Sequence, residues 1–247
     1  MRSKTYNPER RDDSMSHRSK PGLLFLHALP LDGSMWAGHM DIAGISTCAP
    51  TLYGLGDTVE SWAIEALKQT TSERLIVVGC SVGGSCALEV AAAAPQRLAA
   101  LVLIGTKARH DPDPELHAQA LELLETEGAA GAWTRYWAPL FSRSAHPEIV
   151  AAARRAALRQ HAGGLACGIT AFHRRQSRDR LVAACQIPIT VITGEEDLAP
   201  GLKTSTEIVA SARHGSLHVI PDCGHYVPLE KPEALRSILN DVIQAQV

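Results

Sequence analysis

Apolar residues fall in short uninterrupted runs, separated by longer stretches in which they recur every three or four positions. The runs at 23–26, 75–78 and 101–104, the largely apolar segments 187–192 and 216–220, and a weaker one at 45–49 predict strands. Segments 59–69, 82–94, 202–212 and 232–246 carry a helical period. Boundary signals agree: Asp57-Thr58 precede the first, Pro95 follows the second, Pro200-Gly201 precede the third and Pro232 opens the fourth. Apolar strands alternating with helices imply βαβ units, hence an α/β domain on a mostly parallel sheet of about six strands with helices on its faces.

One stretch interrupts the alternation. Residues 107–180 hold helical patterns at 117–127, 130–137, 147–161 and 166–175 and no convincing strand. A helical insertion between two strands of a parallel sheet reads as a lid over the C-terminal strand ends, where such sheets carry their sites. The expected organisation is a core of 21–106 and 181–247, a helical lid of 107–180, and a polar tail of 1–20. That tail holds six Lys/Arg, three acids and almost no apolar residue, too little to offset its ordering entropy.

Composition adds bounds. With 247 residues, 45% hydrophobic and 20% charged, the chain can bury a sizeable core. A net charge of −2 gives no global argument for nucleic acid or a membrane surface. No apolar run reaches the length of a membrane span, and the N-terminus lacks the apolar stretch of a secretory signal. The six cysteines form no C-x-x-C pair and sit mostly in apolar runs, so a reducing, cytoplasmic setting is expected.

The candidate chemistry begins at Gly79-Cys80-Ser81-Val82-Gly83, a G-x-S-x-G sequence between the run at 75–78 and an Ala-rich helix. A serine on a sharp strand-to-helix turn is lifted above the sheet, and small residues on either side let that turn close. The Val82 backbone N–H, at the helix start, can face an oxygen that becomes negative during acyl transfer. Neither a P-loop lysine nor a G-x-G-x-x-G accompanies the glycines. Cys80 is offset by one position and reads as core packing.

A serine hydroxyl needs a base, and the base an orienting acid; after such an elbow the acid comes first and the histidine last. Of eleven histidines, His225 follows the last strand, in Cys223-Gly224-His225. The acid belongs after the strand at 187–192, where Glu195, Glu196 and Asp197 compete and Asp197 is preferred for its place just before a helix. Asp111 and Asp113, after the strand at 101–104, are the reserve. His214 and His218 are four apart but flank the start of a strand, which argues against a helical metal pair.

Together, His27-Ala28-Leu29-Pro30, the G-x-S-x-G elbow, Gly194-Glu195-Glu196-Asp197 and Gly224-His225 resemble the small α/β-hydrolase-fold enzymes that include esterases, enol-lactonases and cofactor-free haloperoxidases. The resemblance covers about 22–246 and implies the α/β-hydrolase fold. It also implies Leu29 as a second oxyanion donor beside Val82. Three departures stand out: Ala28 replaces the family's glycine, Thr51 replaces an aspartate, and the hairpin usually preceding the first strand is not recognisable.

These readings imply a serine hydrolase acting on a small carboxylic ester or lactone with Ser81, Asp197 and His225, and no metal or organic cofactor. The same triad serves C–C bond hydrolases, thioesterases and perhydrolases, and the fold also serves non-catalytic ligand receptors. Trp133, Trp137, Phe141 and Phe172 are candidate pocket walls, with core packing of the lid as the competing reading. Seven arginines between Arg154 and Arg180, opposed by Asp179 alone, fit either a solvated face or a site for an anionic substrate or acidic acyl-carrier protein. The sequence leaves both open.

Overall fold

A computed structural model describes residues 20–42 and 44–246. The expected tail of 1–20 lies, but for Lys20, outside the described residues. Six strands form one sheet: β1 Gly22–Leu26, β2 Thr47–Cys48, β3 Leu75–Cys80, β4 Leu98–Ile104, β5 Ile189–Gly194 and β6 Gly215–Ile220. Their order is β2-β1-β3-β4-β5-β6, and every neighbouring pair is parallel. β1, β3, β4 and β5 are buried along their whole length, as their mostly apolar sequences require. At the edge, β6 is half exposed, which explains its more polar sequence.

Between the strands run α1 Val59–Lys68, α2 Val82–Ala93 and α7 Gly201–Ser211, and after β6 come the short α8 Val227–Glu230 and α9 Pro232–Gln244. Thr58 caps α1 by accepting from the Ser61 N–H, with Ser61 reciprocating. The central helix α2 is buried through ten of its residues, including Glu89. An Ala- and Gly-rich sequence lets it pack against both β3 and α1.

Several boundaries differ from the sequence pattern. The strand expected at 45–49 shrinks to Thr47–Cys48, and the one expected at 187–192 shifts to Ile189–Gly194. Pro188 explains the shift, since it has no N–H to give the ladder. Patterns at 117–127 and 130–137 join into α3 Pro114–Ala132, interrupted at Gly128 (φ +66°), followed by a wider helical turn at Trp133–Trp137. α4 Pro147–Leu158 and α5 Ala162–Arg174 follow, then α6 Asp179–Ala184, which the periodicity does not reveal.

The two ends of this helical excursion meet. Arg178 N–H donates to Ala108 O at 2.7 Å, and the Ser177 hydroxyl joins both the N–H and the carbonyl of His110. The Arg178 guanidinium also grips the buried Glu89 carboxylate through two hydrogen bonds of 2.7 and 2.6 Å, fastening the excursion to α2.

Candidate active site

Ser81 is the single residue between β3 and α2. Its backbone sits at φ +58°, ψ −120°, a conformation in which the Cβ of an L-residue is crowded. The flanking glycines are demanded by backbone contact. A Cβ on Gly79 would lie 2.2 Å from Gly83 O, and one on Gly83 would lie 2.1 Å from Leu26 O. Ser81 N–H donates to Ile104 O, and the Thr106 hydroxyl donates to Ser81 O, so β4 holds the turn from the side. Val82 occupies the first helical position, whose N–H has no intrahelical acceptor. Cys80 is wholly buried, and burial pushes its thiol well up, away from the reactive thiolate.

His225 lies between β6 and α8, and its Nδ1 is 3.0 and 3.1 Å from the two carboxylate oxygens of Asp197. Both residues are buried. With Nδ1–H donating to the carboxylate, Nε2 is left as an acceptor. Asp197 Oδ1 also receives the Ala199 N–H at 2.8 Å. The two loops are built against each other: a Cβ on Gly194 would strike the carbonyls of Cys223 and Gly224, and Glu196 N–H donates to Cys223 O.

The competing acids have other partners. Glu196 takes the Arg143 side chain and backbone N–H, both at 3.1 Å, and Glu195 receives the Asp222 N–H. Asp111 faces exposed Arg109, while Asp113 caps α3 through the Leu116 N–H. His218 lies within β6 and His214 just before it, so the pair shares no helical face.

Two contributors escaped the sequence pattern. Gly105 follows β4 at φ +53° and backs directly onto the His225–Asp197 pair. Its only sequence signal is a glycine at a strand's C-terminal end. Tyr226, fully buried, donates its hydroxyl to Leu29 O at 3.1 Å, so the residue beside His225 also fixes the loop after β1. On that loop, His27 Nε2 accepts the Leu52 N–H at 2.8 Å while Nδ1 faces Ala28 O. Burial pushes the His27 pKa down to about 4, keeping its imidazole neutral.

Ser81, His225 and Leu29 open onto one cavity of about 300 Å³, at the lower end of the range for small-molecule sites. Trp137 and Phe172 line it, together with Leu140 and Ile169. Trp133 and Phe141 do not: Trp133 packs on Phe141, which lies 4.6 Å from the Tyr226 ring, so these two form the layer behind the wall. Nor do the seven arginines reach the cavity. Arg175 is buried over the Phe172 ring, Arg178 holds Glu89, and Arg154, Arg155, Arg159, Arg174 and Arg180 are exposed.

The chain is similar to known proteins along most of its length. The model of the Alpha/beta hydrolase family matches residues 23–238. The chain is 27% identical over 250 residues to the pimeloyl-(acyl-carrier protein) methyl ester esterase of Aromatoleum aromaticum, covering 92% of this chain and 99% of that one. It is 25% identical over 252 residues to the 2-succinyl-6-hydroxy-2,4-cyclohexadiene-1-carboxylate synthase of Enterobacter sp., covering 92% and 93%. Among solved structures, a thermophilic esterase from Thermogutta terrifontis superposes with a TM-score of 0.84 at 24% identity, over 91% of this chain and 90% of that one. The enol-lactonase from Burkholderia xenovorans gives 0.82 at 20% identity, over 93% of each.

Proposed function

The chain belongs to the alpha/beta hydrolase family, and from that premise we propose that it is a serine hydrolase cleaving a small carboxylic ester or lactone through an acyl-enzyme. The observation that carries this is the buried His225–Asp197 pair at 3.0 Å, whose imidazole opens with the strained Ser81 onto one cavity. Two curated relatives carry names with different reactions, one an ester hydrolase and one a synthase. The ester reading rests on the family and on this cavity.

The roles follow from the atoms. His225 Nε2 takes the Ser81 hydroxyl proton as the oxygen attacks the carbonyl carbon. Asp197 holds Nδ1–H and stabilises the imidazolium. The N–H groups of Val82 and Leu29 receive the oxyanion, with Leu29 fixed through its carbonyl by Tyr226. The tetrahedral adduct collapses, the C–O bond to the alcohol breaks, and the alcohol leaves with the proton from His225. Water, deprotonated by the same imidazole, then attacks the acyl-enzyme, releasing the acid and restoring Ser81. The helical excursion of 107–180 serves as the lid, since Trp137, Leu140, Ile169 and Phe172 wall the cavity against water. Outside the cavity, the exposed Arg154, Arg155, Arg159, Arg174 and Arg180 offer cations to an acidic partner, such as a carrier protein holding the acyl group.

The test is covalent. A fluorophosphonate should add one phosphonyl group to wild-type protein, mapped by mass spectrometry to Ser81, and none to Ser81→Ala. Labelling elsewhere, or equal labelling of both proteins, would remove Ser81 as the nucleophile. No turnover of any small ester or lactone by the labelled protein's parent would remove the reaction.

A further inference from the structure

The cavity has a charge that its mechanism does not use. Among its sixteen lining residues no carboxylate appears, yet Lys107 does. Lys107 stands two residues beyond Gly105, in the loop that leaves the C-terminal end of β4, and β4 pairs with β3, the strand that leads into Ser81. To the same cavity α5 contributes His173, whose ring stacks on His117 at 5.1 Å and 12° and whose carbonyl holds His110 Nε2 at 2.8 Å. Burial and the neighbouring His117, Arg175 and His110 push the His173 pKa down to about 4. At neutral pH it is therefore an uncharged hydrogen-bonding group on the same cavity as the Lys107 cation.

No carboxylate lines this wall. Arg175 is buried behind it, over Phe172. The acids nearest the cluster are already engaged on the outside: Asp113 caps α3, and Asp111 pairs with Arg109. Among the described residues, Lys107 makes no ion pair. A lysine at the rim of a mostly apolar cavity, with no anion of the protein to meet it, is arranged for an anion brought by the substrate.

We propose that Lys107 and His173 form a subsite for a carboxylate carried by the substrate remote from its scissile carbonyl, so that the preferred substrate is a small hemiester or carboxylated lactone. This rests on the ester-hydrolase reading of the same cavity. It also moves the anion preference away from the lid arginines, whose side chains lie outside the cavity. The mouth-side lysine supplies the charge, and the neutral imidazole supplies direction by donating one hydrogen bond. Trp137, Leu140 and Phe172 cover the methylene chain between the two carbonyl groups.

The experiment compares monomethyl glutarate with dimethyl glutarate, and measures glutarate binding separately by calorimetry on Ser81→Ala. Wild-type kcat/KM should favour the hemiester by about tenfold or more, the usual worth of a charge-assisted hydrogen bond. Lys107→Gln should cut the hemiester far more than the diester, chiefly through KM, and Lys107→Glu should invert the preference. His173→Gln should retain part of the preference, and His173→Leu should lose more of it. Glutarate should bind Ser81→Ala and fail to bind Ser81→Ala/Lys107→Gln. Equal hydrolysis of both esters by wild type, or a ratio unmoved by Lys107→Glu, would overturn the subsite. Absence of glutarate binding would overturn it as well. Lys107-dependent glutarate binding without turnover of either ester would leave the subsite standing and sink the ester reading alone.

Discussion

Gly105 lies flat against His225: a Cβ placed on the glycine would come within 2.8 Å of both Cε1 and Nδ1 of the imidazole, and 3.0 Å from Asp197 Oδ2. Gly105 also sits at φ +53°, a conformation an L side chain resists. Gly105→Ala should therefore displace the imidazole without unfolding the sheet. A displacement of this kind costs on the order of 10²-fold in kcat when the reacting geometry is lost. Steady-state kinetics beside a circular-dichroism melt checks this; unchanged kcat would mean that the imidazole position is not critical.

Ser81 carries backbone strain that only its side chain's function justifies. Ser81→Ala should lower kcat by about 10⁴- to 10⁶-fold. Ser81→Gly should be equally inactive, yet unfold at a higher temperature than Ser81→Ala, since glycine tolerates φ +58°. A difference of about 1 kcal/mol corresponds to roughly 2–4 °C in a chain of this size. The reverse order of melting temperatures would show that the turn is unstrained.

Asp197→Asn should lower kcat by about 10⁴-fold, because the amide can hold His225 in the wrong tautomer. Glu196→Gln loses only an exposed contact with Arg143, and Asp111→Asn only one with Arg109. Both should stay close to wild type in the same assay. A comparable loss in Asp111→Asn would move the acid to β4.

His27 makes stability depend on pH. Its folded pKa of about 4 lies below the unfolded value near 6.5, so the unfolded chain binds the extra proton between those limits. Stability is fully present above about pH 6.5 and falls as the pH drops towards 4, by roughly 3 kcal/mol from this group alone. His173, also held near 4 but only half buried, adds a smaller part in the same direction. Denaturant midpoints across this range should fall steeply for wild type. His27→Gln, whose side-chain oxygen can still accept the Leu52 N–H, should give a flatter profile; an identical slope would acquit His27.

Arg178→Met would strand the buried Glu89 carboxylate and should cost about 3 kcal/mol, the lower range for breaking a buried pair, because Arg178 is partly exposed. The double variant Glu89→Leu/Arg178→Met should recover much of that loss. If it does not, the pair's role is positional: it holds the foot of the helical excursion to α2.

By itself the sequence determined whatever depends on neighbours along the chain. Mostly apolar runs mark β1, β3, β4 and β5 because a strand buried on both faces has no polar side to show. Gly79 is legible because its Cβ would strike the elbow's own backbone at Gly83, whereas Gly83 against Leu26 and Gly224 against the 140–142 segment are demanded by tertiary contact. The position after β5 brought out Asp197 but left Glu195 and Glu196 beside it, since three adjacent acids look alike until one faces an imidazole. Tertiary structure alone decided what depends on residues far apart in sequence. Gly105 behind His225, Tyr226 holding Leu29, and Glu89 opposing Arg178 are pairings that no local count can find. The aromatic residues of the excursion share one composition, yet Trp137 and Phe172 line the cavity while Trp133 and Phe141 stand behind it. Seven arginines crowd the 154–180 segment, while the cation at the cavity is Lys107. Composition records how many charges a segment holds; only the packing of α3 and α5 over the sheet decides which of them a substrate meets.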